Sequence, residues 1–104
     1  MNIMFHVKDA NLNERQETLF SGKIERLVKK LGKLWVEESS EAKISVIKTT
    51  AKAKEERFTV EISLEVPGHR LVAREQDETP DNAVDSCIEK LKKQIEKAKT
   101  RTEV

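Results

Sequence analysis

The side chains that could act on a bond are His6, His69, Cys87 and the aspartates Asp81 and Asp85. A histidine serves as acid or base only beside a positioned partner, and His6 and His69 each stand alone in an exposed strand pattern. Cys87 falls on the apolar side of a helical pattern, which predicts a buried thiol rather than a nucleophile. Asp81 and Asp85 are four residues apart on one helix and could form a carboxylate pair. No partner group supports that role, and the positive end of a helix accounts for Asp81. There is no glycine-rich phosphate loop and no metal-ligand spacing. The sequence therefore predicts no enzyme, no cofactor and no metal site.

The groups present in quantity are cations, and they fall in two runs. From Lys23 to Lys33 five basic residues stand against Glu25 alone, and from Glu89 to Arg101 six stand against Glu89 and Glu96, so each run is net +4. On a helical wheel, Arg15, Lys23, Arg26, Lys29, Lys30 and Lys33 point away from the apolar stripe of the first run. In the second, Lys90, Lys93, Lys97 and Arg101 point outward, with Lys92 and Lys99 on one flank. Such charge could be ordinary helix solubility, because basic residues are favoured near helix C-termini and pair with glutamates three or four positions away. Two runs brought side by side suit a closely spaced anionic lattice, and phosphate backbone is one that needs no base-reading geometry. No surface aromatic is expected to stack on a base, since Trp35 and the three phenylalanines read as core. A folded RNA recognised by shape and charge is the matching target.

The elements that must carry these runs are legible from periodicity. Ile3, Phe5 and Val7 alternate with polar positions as a first strand. Asn11 with Glu14, or Asn13 with Gln16, has capping-box spacing. Phe20, Ile24, Leu27, Val28, Leu31 and Trp35 then form one helical face, with Gly22 weakening the interior, Gly32 near the end and Leu19 off the stripe. Glu37 to Glu41 is a polar connection, Ala42 to Thr50 a β-branched second strand, and part of Ala51 to Arg57 a hairpin tip. Phe58, Val60, Ile62, Leu64 and Val66 alternate as a third strand with one wet face. Pro67 and Gly68 turn the chain into a fourth strand, His69 to Glu75, with Leu71 and Ala73 inward. Thr79 and Pro80 open a last helix that buries Val84, Cys87, Ile88, Leu91 and Ile95, with Ala98 a further candidate.

The expected class is α+β: β-α-β-β-β-α, a four-stranded mixed sheet with two helices on one face. If the first two strands are neighbours they are parallel, and the rest alternate. Both helices then run the same way and bring their basic C-terminal halves to one end. The 104 residues suffice for one core, expected over 1–101 with a short tail at 102–104. Charged residues make up 38% and the net charge is only +1, so the distribution of charge matters more than its sum. One cysteine rules out an internal disulfide, and neither a signal peptide nor a membrane-length apolar run is present. A soluble cytoplasmic protein is expected, without membrane partner or small-molecule substrate.

Three stretches resemble a known family. They are the opening M-N-I-M-F-H-V-K-D-A-N-L-N-E, the helix K-I-E-R-L-V-K-K-L (Lys23 to Leu31), and A-V-D-S-C-I-E-K-L-K-K-Q-I-E-K (Ala83 to Lys97). With the element order, they are similar to the ribosome hibernation promoting factors, also called ribosome-associated inhibitors, ribosomal subunit interface proteins or sigma-54 modulation proteins. The likeness extends over residues 1 to 101. It implies a partner, the small ribosomal subunit, with basic helical faces against ribosomal RNA in the channel between head and body, and translation blocked while ribosomes are stored. Lys23, Arg26, Lys30, Lys90, Lys93 and Lys97 match the family's basic helical positions, and Lys33 and Arg101 extend the same faces. All eight are expected to contact phosphate. The family enters its last helix through Asp-Met-Tyr, whereas this chain has Thr79, Pro80 and Asp81, with Asp81 at the tyrosine position. Ending at Val104, it resembles the short forms. Two other readings fit the residues alone, a generic double-stranded RNA binding module and a protein-interaction domain using the wet sheet face and a free edge.

Overall fold

The computed structural model describes residues 1–29, 40–50, 56–66 and 68–102, without the side chains of residues 50, 56 and 98–102. Elements follow in the expected order: β1 (Asn2–Lys8), α1 (Glu14–Lys29), β2 (Glu41–Thr50), β3 (Glu56–Val66), β4 (His69–Asp77) and α2 (Pro80–Thr102). Leu31, Gly32, Trp35, most of the expected polar connection and the expected hairpin tip lie outside the described residues.

The sheet has the order β1-β2-β3-β4. β1 pairs with β2 in parallel, Phe5 opposite Ile44, while β2–β3 and β3–β4 are antiparallel, with Ile44 opposite Ile62 and Ile62 opposite Ala73. The strands extend past their apolar alternation: β2 begins at Glu41, β3 at Glu56, and β4 continues to Asp77. Backbone pairing continues as long as a neighbour is present, whatever the side chains do, so apolar spacing underestimates strand length.

One face of the sheet is dry. Ala42, Ile44 and Val46 from β2, Val60, Ile62 and Leu64 from β3, and Leu71 and Ala73 from β4 pack with Phe20, Ile24, Leu27 and Val28 of α1 and Ala83, Val84, Cys87, Leu91 and Ile95 of α2. Both helices thus share one core on one side of the sheet. Ile3, Phe5, Leu19 and Ile88 are partly buried against it. Leu19, off the helical stripe, finds a place at the margin of the core.

Local signals set the element ends. Of the two capping boxes open to the sequence, Asn13 with Gln16 forms. The Gln16 amide donates to Asn13 Oδ1 at 2.8 Å, and the Asn13 amide donates to Gln16 Oε1 at 3.1 Å. At α2, the Asn82 amide donates to Thr79 Oγ1 at 3.2 Å, with Pro80 as the first helical residue. Gly68 turns the chain between β3 and β4 at φ 81°, a conformation open to a residue without Cβ. Among the described residues no helix is long and apolar enough to cross a membrane.

Candidate nucleic-acid interface

Two side-chain contacts fix how α1 lies against α2. Gln16 Nε2 donates to Asp81 Oδ1 at 3.2 Å, and further along both helices the Lys23 ammonium donates to Asp85 Oδ1. The contacts advance toward the C-terminus of both helices together, so the helices run parallel. Beyond them an open groove continues between the helices. Its rims carry Arg26, Lys29 and Lys92 with the carboxylate of Glu89, and Leu27 and Ile88 lie beneath. Arg26 and Lys29 at the end of α1 therefore face Lys92 of α2 across the groove.

The expected cations do not share one environment. Arg26 and Lys29 are exposed on α1, and Arg26 Nε curls back to donate to the Gly22 carbonyl at 3.2 Å. Lys93 and Lys97 are exposed on α2. Among the described residues no ion pair joins these four to a carboxylate. Lys23 departs from the outward position expected on the wheel: it lies between the helices, 23% exposed, and is engaged by Asp85. A helical wheel measures angle from the helix's own stripe and knows nothing of a second helix on the flank. Lys90 is exposed, but its ammonium is 2.7 Å from Glu75 Oε1 of β4. That hydrogen bond and the carboxylate's charge raise the Lys90 pKa above the usual lysine value. Lys92, at 3.7 Å from Glu89, faces the groove. Arg101 lies within α2, its side chain outside the description, and Lys30 and Lys33 fall outside the described residues.

Sequence reasoning missed the residues that position this surface. Asp81 and Asp85, considered above as a carboxylate pair, each take a donor from α1 instead. Asp81 thus has a definite partner at the position where the resembling family carries tyrosine. On the opposite flank of α2, Gln94 Nε2 donates to the Val72 carbonyl at 2.8 Å, so Gln94 and Lys90 together fasten α2 over the outer strand β4. The only available signal was a set of polar residues on the flanks of the apolar stripe, which any surface helix has.

The remaining chemical candidates are accounted for by burial and exposure. Cys87 has no exposed surface; its thiol lies 3.4 Å from the Val60 carbonyl and 3.7 Å from that of Ala73. Burial, reinforced by the nearby Glu75 carboxylate, pushes its pKa up to about 11. Such a thiol is protonated at neutral pH and out of reach of a substrate. His6 is exposed, and His69 is half-buried at the start of β4.

A family model described as sigma 54 modulation protein / S30EA ribosomal protein matches residues 3–103. Among solved structures, the N-terminal domain of Thermus thermophilus Protein Y superposes with a TM-score of 0.72 at 19% identity, covering 93% of this chain and 98% of that one. A ribosomal subunit interface protein from Coxiella burnetii superposes with a TM-score of 0.74 at 17% identity, covering 96% and 99%. At these identities the superpositions establish the common fold. No curated protein matches the sequence.

Proposed function

The chain belongs to the sigma 54 modulation protein / S30EA ribosomal protein family, and from that membership we propose that it binds the small ribosomal subunit through ribosomal RNA and restrains translation while ribosomes are stored. The family is one of ribosome-associated binding proteins, not enzymes. Binding to ribosomes puts the working protein in the cytoplasm.

The observation that carries this reading is the parallel seating of α1 and α2, which sets Arg26 and Lys29 across the groove from Lys92. Cations on two packed helices suit a phosphate backbone in sign and need no base-reading geometry. Arg26, Lys29, Lys93 and Lys97 are the principal phosphate contacts, with Lys30, Lys33 and Arg101 as further contacts. Lys23 and Lys90 enter the surface already paired with carboxylates.

Co-sedimentation with purified small subunits at two salt concentrations tests the proposal. Binding should weaken steeply with salt, and Lys93→Glu with Lys97→Glu should abolish it in a protein that still melts cooperatively. Undiminished co-sedimentation of the double variant would remove the helical surface as the site. Equal affinity for small subunits and for any naked duplex would instead favour a generic double-stranded RNA binding module.

A further inference from the structure

Lys23 and Asp85 stand apart from the other charges of the surface. Lys23 is mostly buried while Asp85 is 57% exposed, and the two meet at the head of the groove between α1 and α2. The geometry points to Asp85 as an intramolecular competitor for phosphate, holding Lys23 in the groove and away from an RNA backbone that Arg26 and Lys29 meet. This deepens the proposed function and rests on it.

A carboxylate and a phosphate oxygen compete for the same ammonium protons. Asp85 has the advantage of being attached to the fold beside Lys23, so its effective concentration is high and pairing avoids the translational and rotational loss that an incoming phosphate must bear. A phosphate reaching Lys23 would displace it and then face an exposed carboxylate of like charge a few ångströms away. The two other carboxylates of this region do not offer the same contest. Asp81 is engaged by Gln16, and Glu89 lies 3.7 Å from Lys92, a half-buried lysine of its own helix. Arg26 and Lys29, one and two turns past Lys23, are exposed and have no carboxylate partner among the described residues. Asp85 thereby subtracts one cation from the binding surface and sets how tightly, and how salt-sensitively, the protein holds RNA.

The test is a double-mutant cycle of Asp85→Asn and Lys23→Ala, titrated over a range of salt. Each protein is titrated against small subunits and against an RNA duplex of about 16 base pairs as plain phosphate backbone. Asp85→Asn should tighten binding to both by about fivefold near physiological salt and steepen the log–log salt slope by about one, as one further phosphate contact requires. Lys23→Ala should move the slope little in the native background and remove the whole gain in the Asp85→Asn background. Equal or weaker binding by folded Asp85→Asn overturns the inference. If that variant does not fold, Lys23→Ala and Lys29→Ala decide alone: an equal loss of slope means Lys23 already meets phosphate, and the inference fails. A cycle that behaves as expected on the duplex, without preference for small subunits, upholds the inference and overturns the ribosomal reading. Failure of the native protein to bind either probe overturns both.

Discussion

Lys23 of α1 and Asp85 of α2 form an ion pair that closes the head of the interhelical groove, with Gln16 and Asp81 joined toward the N-termini. The helices are thus tied by polar contacts from Gln16 to Lys23 on α1 and from Asp81 to Asp85 on α2, and cations dominate the groove beyond them. With Asp85 57% exposed, the pair contributes little stability by itself. Its effect is on which charges remain available at the surface.

Gln16 offers the most direct test of the tie. Its amide serves two partners, accepting from the Asn13 amide and donating to Asp81. Gln16→Glu keeps the capping acceptor but loses the donor and sets a second carboxylate against Asp81. Urea denaturation should show a loss of about 1–2 kcal/mol. Adding Asp81→Asn should recover most of it, and a strictly additive pair would mean the contact does not form.

Gly22 is a helical glycine without a steric reason to be one. A Cβ there would lie 3.7 Å from Arg26 Nη2, an ordinary contact. Gly22→Ala should stabilise the protein by about 0.5–1 kcal/mol by restricting the unfolded chain. The melting temperature should rise by roughly 2–8 °C; a fall would show that Arg26 needs the space.

Gln94 occupies the Val72 carbonyl on the outer strand β4. An open strand edge is a template for pairing with another chain. Gln94→Ala should therefore raise the weight-average mass in sedimentation equilibrium as concentration increases, relative to the native protein. Gln94→Lys, which retains a donor, should behave as the native chain does. Identical behaviour of all three would show that the contact does not guard the edge.

Alkaline pH should weaken the fold through Cys87 and Lys90. The Cys87 thiol is raised from 9.0 to about 11 by burial, so its contribution is complete below about pH 9 and is lost as pH rises through 11. The raised Lys90 pKa acts in the same direction. Comparing native protein with Cys87→Ala from pH 8 to 11 isolates the thiol. The gap in unfolding free energy should narrow by on the order of 2 kcal/mol; a constant gap would contradict the buried thiol. At neutral pH, thiol reagents should modify Cys87 only after unfolding.

The sequence by itself determined the elements and their order. Alternation at Phe58 to Val66, three-and-four spacing from Phe20 to Val28, and the Thr79-Pro80 helix entry are consequences of backbone geometry acting over a few residues, so they can be read locally. The resemblance carried by Ala83 to Lys97 likewise pointed to the family before any coordinates. Where strands end, which capping box forms, and which lysines are committed to partners were decided by the tertiary structure. Lys23 and Asp85 are 62 residues apart, and Lys90 meets Glu75 only because α2 folds back over β4. A charge's availability depends on what lies within a few ångströms of it, and for these side chains that neighbourhood exists only once the two helices lie parallel on one sheet.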